Sequence, residues 1–419
     1  METYAAVLAY AIPGFLLLII IEALAGRWMG VQTNRPADTI SSLSSGVTNT
    51  LKTLMGLAVV VLSYEWMVTH WAFFTLPDAW WVYLLAFIGL DFKGYWSHRW
   101  NHKINLLWNR HIIHHSSEEF NLSCALRQNI SAIVGIYFFL YIPMAFLGVP
   151  TKVVAFIAPI HFFSQFWYHT RLIDRMGFLE YIIVTPSHHR VHHAINDEYL
   201  DKNFSEIFIV WDKWFGTFQE ELPEVPPVYG TKRPAGTWNP VLINFMHLWS
   251  IIQDAWRTDS WWDKLRIWFM PTGWRPDDVA AQYPIAYYKH ASEQCKYDSK
   301  PSTALQWWSG IQLVIHVAFM YHLMFNIGDL SFAQILLYGS FLFVSTFSYT
   351  TLLDRHWLSI WMELLKLVFG LVLVYYLGGW FGFGVFGTYM VVAYLLLALG
   401  ACLFFVNREV GAALPVALN

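Results

Sequence analysis

Nine stretches of about 20 mostly apolar residues constrain this chain more than any other feature, near 5–25, 46–68, 79–97, 130–148, 152–170, 304–325, 331–352, 358–378 and 382–405. About 20 such residues are what a helix needs to cross a bilayer, and a helix satisfies its own backbone hydrogen bonds there. The pattern predicts an all-α integral membrane protein of about nine transmembrane helices, to which the basic residues and histidine clusters described next add a cytoplasmic histidine-rich dimetal cap. Composition agrees: 13% of residues are charged and 23 are tryptophan, where a soluble domain carries about 25% charge. The third stretch is unusual in holding Asp91, Lys93 and, at its end, His98. Ala23-Leu24-Ala25 resembles a signal-peptidase site, but Glu22 and the lack of a basic leader favour a retained first helix. A formal charge of -3 without a Lys/Arg run excludes a nucleic-acid-binding chain. Cys124, Cys295 and Cys402 form no zinc or disulfide motif.

Basic residues orient such a bundle. Arg27 and Arg35 follow the first span, Arg99, Lys103 and Arg110 the third, Arg171 and Arg175 the fifth, Arg355 the seventh and Arg408 the ninth. The opposite loops contribute only Lys152, so nine spans would put the N-terminus outside and the histidine clusters in the cytoplasm, whether the membrane is a bacterial inner membrane or an endoplasmic reticulum. Between Thr170 and Thr303 no spanning stretch occurs. Trp238, Trp249, Trp256, Trp261, Trp262 and Trp268 recur there among charged residues, which predicts interfacial helix over 238–270.

Three histidine clusters carry the chemistry: His98 with His102; His111 with His114 and His115; His188, His189, His192 and His193. Residues three and four apart share a helix face, so His98/His102, His111/His114/His115 and His189/His192/His193 each project together. Imidazole suits iron and zinc alike. Eight such ligands are too many for one ion and suit two, and the absence of cysteine ligands excludes structural zinc and iron–sulfur sites. His169 is a candidate ninth ligand, His188 an alternative to His189, and His161 a supporting or channel residue. Asp91, seven residues before His98, is placed to orient an imidazole. Asn203 and Asp212 suit orienting, ligating or capping roles alike, and Glu118 and Glu119 read as a solvated acidic helix end. The remaining clusterless histidines (His70, His247, His290, His316, His322, His356) read as surface or hydrogen-bonding residues.

Asp91-Phe-Lys-Gly-Tyr-Trp-Ser-His-Arg-Trp-Asn-His102, His111-Ile-Ile-His-His115 through Gln128, Thr185-Pro-Ser-His-His-Arg-Val-His-His193 and Asp201-Lys-Asn-Phe204 through Trp211-Asp-Lys-Trp-Phe-Gly-Thr217 resemble the fatty acid hydroxylase/sterol desaturase superfamily. The wording is closest to its alkylglycerol monooxygenase group. The resemblance implies a centre of two iron ions held by His98, His102, His111, His114, His115, His189, His192 and His193, with His169 matching a further histidine. It implies dioxygen as oxidant, a lipid substrate, and a tetrahydropterin or a separate electron-donor protein as reductant. Gln165 stands where some hydroxylases have a further histidine, and Lys103 where the group has an acidic residue. The expected organisation is N-terminal membrane helices over 1–75, a catalytic core over 76–225, a cytoplasmic or interfacial segment over 226–303 and four membrane helices over 304–419. The expected activity is hydroxylation of a lipid C–H bond, with cleavage of alkylglycerol ethers as the specific form. The same chemistry on a sterol, fatty-acyl, carotenoid or aminolipid substrate, and a metal-ion transporter, are the competing readings. Transporter sites lie near mid-membrane, whereas these clusters lie at span ends.

Overall fold

The structure, a computed structural model, describes residues 2–410. These residues form helices and loops, with no β-pairing beyond isolated bridges. The first helix, α1 (Glu2–Trp28), leads into α2 (Pro36–Leu54), α3 (Tyr64–Trp71) and α4 (Trp80–Lys103). Two one-turn helices, α5 (Asn105–Trp108) and α6 (Ile112–His115), follow. Next come α7 (Ile142–Phe146), α8 (Thr151–Phe163), α9 (Pro186–His193) and α10 (Val210–Trp214). The segment beyond holds α11 (Pro240–Arg257), α12 (Trp261–Arg266) and α13 (Asp277–Gln282), and the chain ends in α14 (Thr303–Phe325), α15 (Phe332–Leu353), α16 (Leu358–Leu377) and α17 (Gly384–Phe405).

Among the described residues, five helices are long and apolar enough to cross a membrane: α1, α14, α15, α16 and α17. The protein is a multi-pass membrane protein. The long helices carry strong local signals. Ser302 caps α14, a Ser331–Gln334 capping box opens α15, and Gly378, at φ +68°, ends α16 in the left-handed conformation.

Three of the nine expected spans are not continuous helices. The 46–68 stretch breaks after Leu54, turns at Gly56 (φ +64°) and resumes only for the eight residues of α3. The 130–148 stretch holds a 3-10 turn and α7, with Pro143 at the helix start. The 152–170 stretch stops at Phe163, leaving α8 13 residues long. Apolar composition does not report helix length: Val59, Val60, Val61, Phe139, Phe156 and Phe162 in these stretches are exposed, and the chain there forms short helices joined by turns. The third stretch does form one helix, α4, which runs on through His98 and His102. Over 238–270, α11 and α12 are surface helices. Trp249, Trp256, Trp261 and Trp262 are exposed while Ile243 and Ile251 face inward. Trp238 instead is buried, its indole donating to Ser299.

α2 is the polar exception at the centre. Its Ser41, Ser44 and Ser45 are buried where it packs on α14 and α15, small side chains that let helices approach closely. Hydrogen bonds tie the ends of several long helices to the loops around the histidines or to one another. The Glu22 carboxylate of α1 accepts from Leu122 N (2.8 Å). Asp354, between α15 and α16, accepts from Trp238 N (2.7 Å) and the Tyr297 hydroxyl (3.0 Å). Glu409, after α17, accepts from Ser302 N at the start of α14 (3.1 Å).

Candidate metal centre

Three helices and one turn aim imidazoles at two adjacent points. α4 supplies His98 and His102, α6 and the residue before it supply His111, His114 and His115, and α9 supplies His189, His192 and His193. The turn after α8 supplies His169. All nine are brought together, in two groups. His98, His102, His111, His115 and His192 form one, and His114, His169, His189 and His193 the other. Within each group the offered ring nitrogens lie within 4.8 Å of one another.

The second nitrogen of several rings is anchored, which fixes the tautomer. His98 Nδ1 donates to Phe204 O (2.8 Å), His192 Nδ1 to Lys202 O (2.9 Å) and His169 Nδ1 to Gln165 O (3.0 Å). Their Nε2 lone pairs then face inward. There the nitrogens crowd: His98 Nε2 lies 2.8 Å from His111 Nε2, His189 Nε2 lies 2.9 Å from His169 Nε2 and 3.0 Å from His193 Nε2, and His193 Nε2 lies 3.1 Å from His114 Nε2. Two nitrogens bound to one ion at about 2.1 Å and at right angles sit about 3 Å apart. His102 Nε2, His115 Nε2 and His192 Nε2 are buried with no hydrogen-bond partner. Buried polar atoms are rarely left so, and a cation is the partner that five or four converging lone pairs lack. Burial holds the His98 and His169 pKa values down at about 3, and the other cluster imidazoles are lowered as well, so the rings are neutral and able to ligate. The residues fit two metal ions.

The remaining sequence candidates lie around this core. Asp91 accepts four hydrogen bonds, but none from a clustered imidazole: His161 Nε2 (2.9 Å), Ile207 N (2.9 Å), Phe208 N (3.0 Å) and the Trp211 indole (2.8 Å). It thereby fixes the loop whose Phe204 carbonyl orients His98. Gln165 donates to Glu206 (3.2 Å). His188 is outside both groups, its Nδ1 accepting from Thr185 N (3.3 Å) at the start of α9. Asn203, at φ +54°, donates to His188 O (3.0 Å) and Gln219 O (2.8 Å), and Asp212 accepts from Phe204 N and Ser205 N (each 2.8 Å). Both organise backbone. Lys103 is bonded to Asp201 (2.6 Å), whose other oxygen lies 3.6 Å from His102 Nδ1.

Glu118 and Glu119 are not solvated. Glu118 accepts from Tyr297 N (2.6 Å), and Glu119 pairs with Lys296 (2.6 Å) and Arg171 (3.3 Å). They clamp the 296–297 strap over the cap, and partners nearly 180 residues away were invisible in the local pattern. Sequence reasoning also missed Glu206, which joins Asp91 and His161 in a third polar group. Its place three residues after Asn203 was the only signal.

Two cavities flank the histidines. The first, about 950 Å3, runs between α1, α2, α4, α8 and α14, and is reached by His98, His111, His114, His169 and His189. The second, about 750 Å3, lies under α11 and the 272–287 segment, and is reached by His102, His115, His192 and His193.

The fatty acid hydroxylase family matches residues 83–217. Alkylglycerol monooxygenase of Homo sapiens is 35% identical over 366 residues, 87% of this chain and 81% of the relative. The chain belongs to the fatty acid hydroxylase family. Alkylglycerol monooxygenase of Danio rerio is 34% identical, covering 85% of this chain and 80% of its own. The ornithine lipid hydroxylase OlsE of Rhizobium tropici is 30% identical over 145 residues, 34% of this chain and 44% of its own. No solved structure matches. This fatty acid hydroxylase family member is an oxidoreductase, a membrane lipid monooxygenase, and the matched segment contains every clustered histidine.

Proposed function

We propose that the protein is a dimetal monooxygenase that hydroxylates a glycerol ether lipid at the carbon next to the ether oxygen. The observation that carries this reading is the pairing of two neutral imidazole groups with a largely apolar cavity opening directly onto them. The ligands are His98, His102, His111, His115 and His192 for one ion and His114, His169, His189 and His193 for the other. Two irons bound there would supply dioxygen activation and C–H oxidation. The chain's own residues do the rest. Leu8, Ile12, Phe15, Val317 and Met320 take up the alkyl chain and exclude water. Phe204 O, Lys202 O and Gln165 O keep the imidazoles aimed.

The overall reaction consumes one dioxygen, two electrons and two protons, giving one water and a hydroxylated carbon. A hydroxyl beside an ether oxygen makes a hemiacetal, which collapses to a fatty aldehyde and a glycerol hydroxyl. Electrons come from a tetrahydropterin or a separate donor protein on the side of the second cavity, whose wall carries Lys232, Arg233, Asp254 and Arg275. With α1, α14, α15, α16 and α17 crossing the membrane, the cap and the C-terminal end of α17 share one face, which we assign to the cytoplasm.

The test is turnover of the iron-loaded protein on 1-O-hexadecylglycerol with and without tetrahydropterin, trapping hexadecanal. Pterin-dependent aldehyde supports the reading. Turnover confined to sterol or acyl lipids discards the ether assignment, and no oxidation of any lipid discards the function.

A further inference from the structure

The reaction proposed above consumes protons as dioxygen is reduced, and the cavity that takes up the alkyl chain excludes the water that would bring them. The clustered imidazoles have none to give, being neutral with their inner nitrogens turned to the metal positions. Among the described residues lining the first cavity, Glu206 is the one carboxyl. Its place beside the metal centre is fixed from two sides. It lies against α4 at Gly94, where a Cβ would stand 2.1 Å from Oε2, and His98 follows Gly94 by one turn. On the other side the Gln165 amide donates to Oε2 (3.2 Å), and the Gln165 carbonyl accepts from the ligand His169 (3.0 Å).

Glu206 does not stand alone. Its carboxylate, the Asp91 carboxylate and the His161 imidazole each bring an atom within 4.8 Å of the other two. Both Asp91 oxygens accept hydrogen bonds, so His161 Nε2 donates to Oδ1 (2.9 Å) and its Nδ1 is left to accept. Glu206 Oε2, 3.8 Å from Nδ1, is an acceptor too. The Gln165 NH2 serves both, at 3.2 Å and 3.4 Å, yet between imidazole and carboxylate one hydrogen is missing. An added proton is held on either partner: carried by Glu206 it points at Nδ1, and carried by His161 it lies between two carboxylates. Burial raises the Glu206 pKa above its ordinary 4.5 and the Asp91 charge adds to this, while His161, Lys93 and the Gln165 amide act against it. The Tyr168 hydroxyl lies near the same carboxylates, and burial keeps it protonated. These are the charged and titratable groups that α4, α8 and the turn after α8 bring to the site.

We infer that Glu206 and His161, backed by Asp91, form a one-proton relay that supplies the cavity with one of the protons consumed in each turnover. This rests on the lipid monooxygenase reading and deepens it. The O–H bond of the Glu206 carboxyl breaks and its proton goes into the water that the reaction forms. The carboxylate left behind is stabilised by the Lys93 charge until solvent returns a proton. His161 shares that proton, Gln165 aims the carboxyl, and Gly94 leaves it room beside α4. Glu206 is the donor, whereas His161, Gln165 and Asp91 are positioning residues.

The test is the C=O band of a protonated carboxyl in pH-titrated infrared spectra of the full-length, iron-loaded, detergent-purified protein kept anaerobic. Wild type minus Glu206→Gln should show this band with a midpoint above 4.5, and Lys93→Met should move the midpoint further up by removing a cation that favours the carboxylate. Turnover on 1-O-hexadecylglycerol should fall about tenfold or more in Glu206→Gln through kcat, with KM and metal content unchanged, and Glu206→Asp should regain part of it. No band in the difference, or a midpoint at or below 4.5, overturns the inference. So does a wild-type kcat in Glu206→Gln. Should that variant fail to hold metal, wild type against Lys93→Met decides, and a midpoint that does not rise overturns the inference. The function fails separately. The band is read without lipid or dioxygen, so its presence with no lipid oxidised keeps the proton site and discards the monooxygenase, whereas lipid oxidation without the band does the reverse.

Discussion

Asp91→Asn is the substitution that separates support of the metal centre from ligation. The carboxylate is fully buried and accepts four hydrogen bonds, two on each oxygen: His161 and Ile207 N on Oδ1, Phe208 N and the Trp211 indole on Oδ2. An asparagine fills the same space but offers one accepting oxygen. With the NH2 on the Oδ1 side the imidazole of His161 can change tautomer and accept from it, but Ile207 N loses its acceptor; on the Oδ2 side Phe208 N and the Trp211 indole both do. At about 1–3 kcal/mol for each unsatisfied buried group, the less costly orientation loses about 1–3 kcal/mol. The damage falls on the loop carrying Phe204, whose carbonyl fixes His98 Nδ1 at 2.8 Å. Loss of such outer support costs about 10–100-fold in metal affinity. The assay is metal retention during dialysis against a graded chelator, read beside thermal unfolding of the metal-free protein. Asp91→Asn should lose metal at chelator concentrations about 10–100-fold lower and unfold earlier. Wild-type metal retention with wild-type unfolding would refute the argument that Asp91 organises this loop.

Arg127→Met should cost about 3–5 kcal/mol, because it strands the Asp38 carboxylate, 1% exposed, without its 2.7 Å partner. Adding Asp38→Asn should recover much of that loss in the same denaturation assay. Gly148→Ala should destabilise by about 2–6 kcal/mol, since Gly148 sits at φ +74° and a Cβ there would lie 1.8 Å from the Phe74 carbonyl oxygen; wild-type unfolding would contradict that geometry. The metal-free protein should lose stability as pH falls below about 6.5. His98 and His169 titrate at about 3 when folded against 6.5 when free, so the unfolded chain binds protons first and each ring costs about 1.4 kcal/mol per pH unit across that window. Unfolding midpoints measured with chelator between pH 7.5 and 5.5 check the sign.

The clustered histidines were legible because ligand spacing on short helices is a local property. His98/His102 and His189/His192/His193 need only one or two turns to share a face. His169 was legible only as a neighbour, because its partners His114 and His189 come from other segments. The supports were not legible: Phe204 O and Lys202 O are backbone groups, and no side-chain pattern reports where a carbonyl points. Asp91 was recognised as important, but its partners are a loop 116 residues and more away and His161 rather than a clustered imidazole. The helical membrane class followed from composition. The count of spans did not, since the breaks at Gly56 and after Phe163 occur inside stretches that are apolar throughout, and hydropathy alone does not register a turn. Glu118 and Glu119 looked like a solvated helix end because Lys296 and Arg171 come to them only through the fold.

The central claim is that two metal ions share nine histidines in groups of five and four, and anaerobic metal analysis of the purified protein tests it most directly. Two irons per chain are expected in the wild type, a reduced content in His169→Ala through loss from the four-histidine group, and an unchanged two in His188→Ala. One ion per chain in the fully loaded wild type, or none taken up on reconstitution, would contradict it.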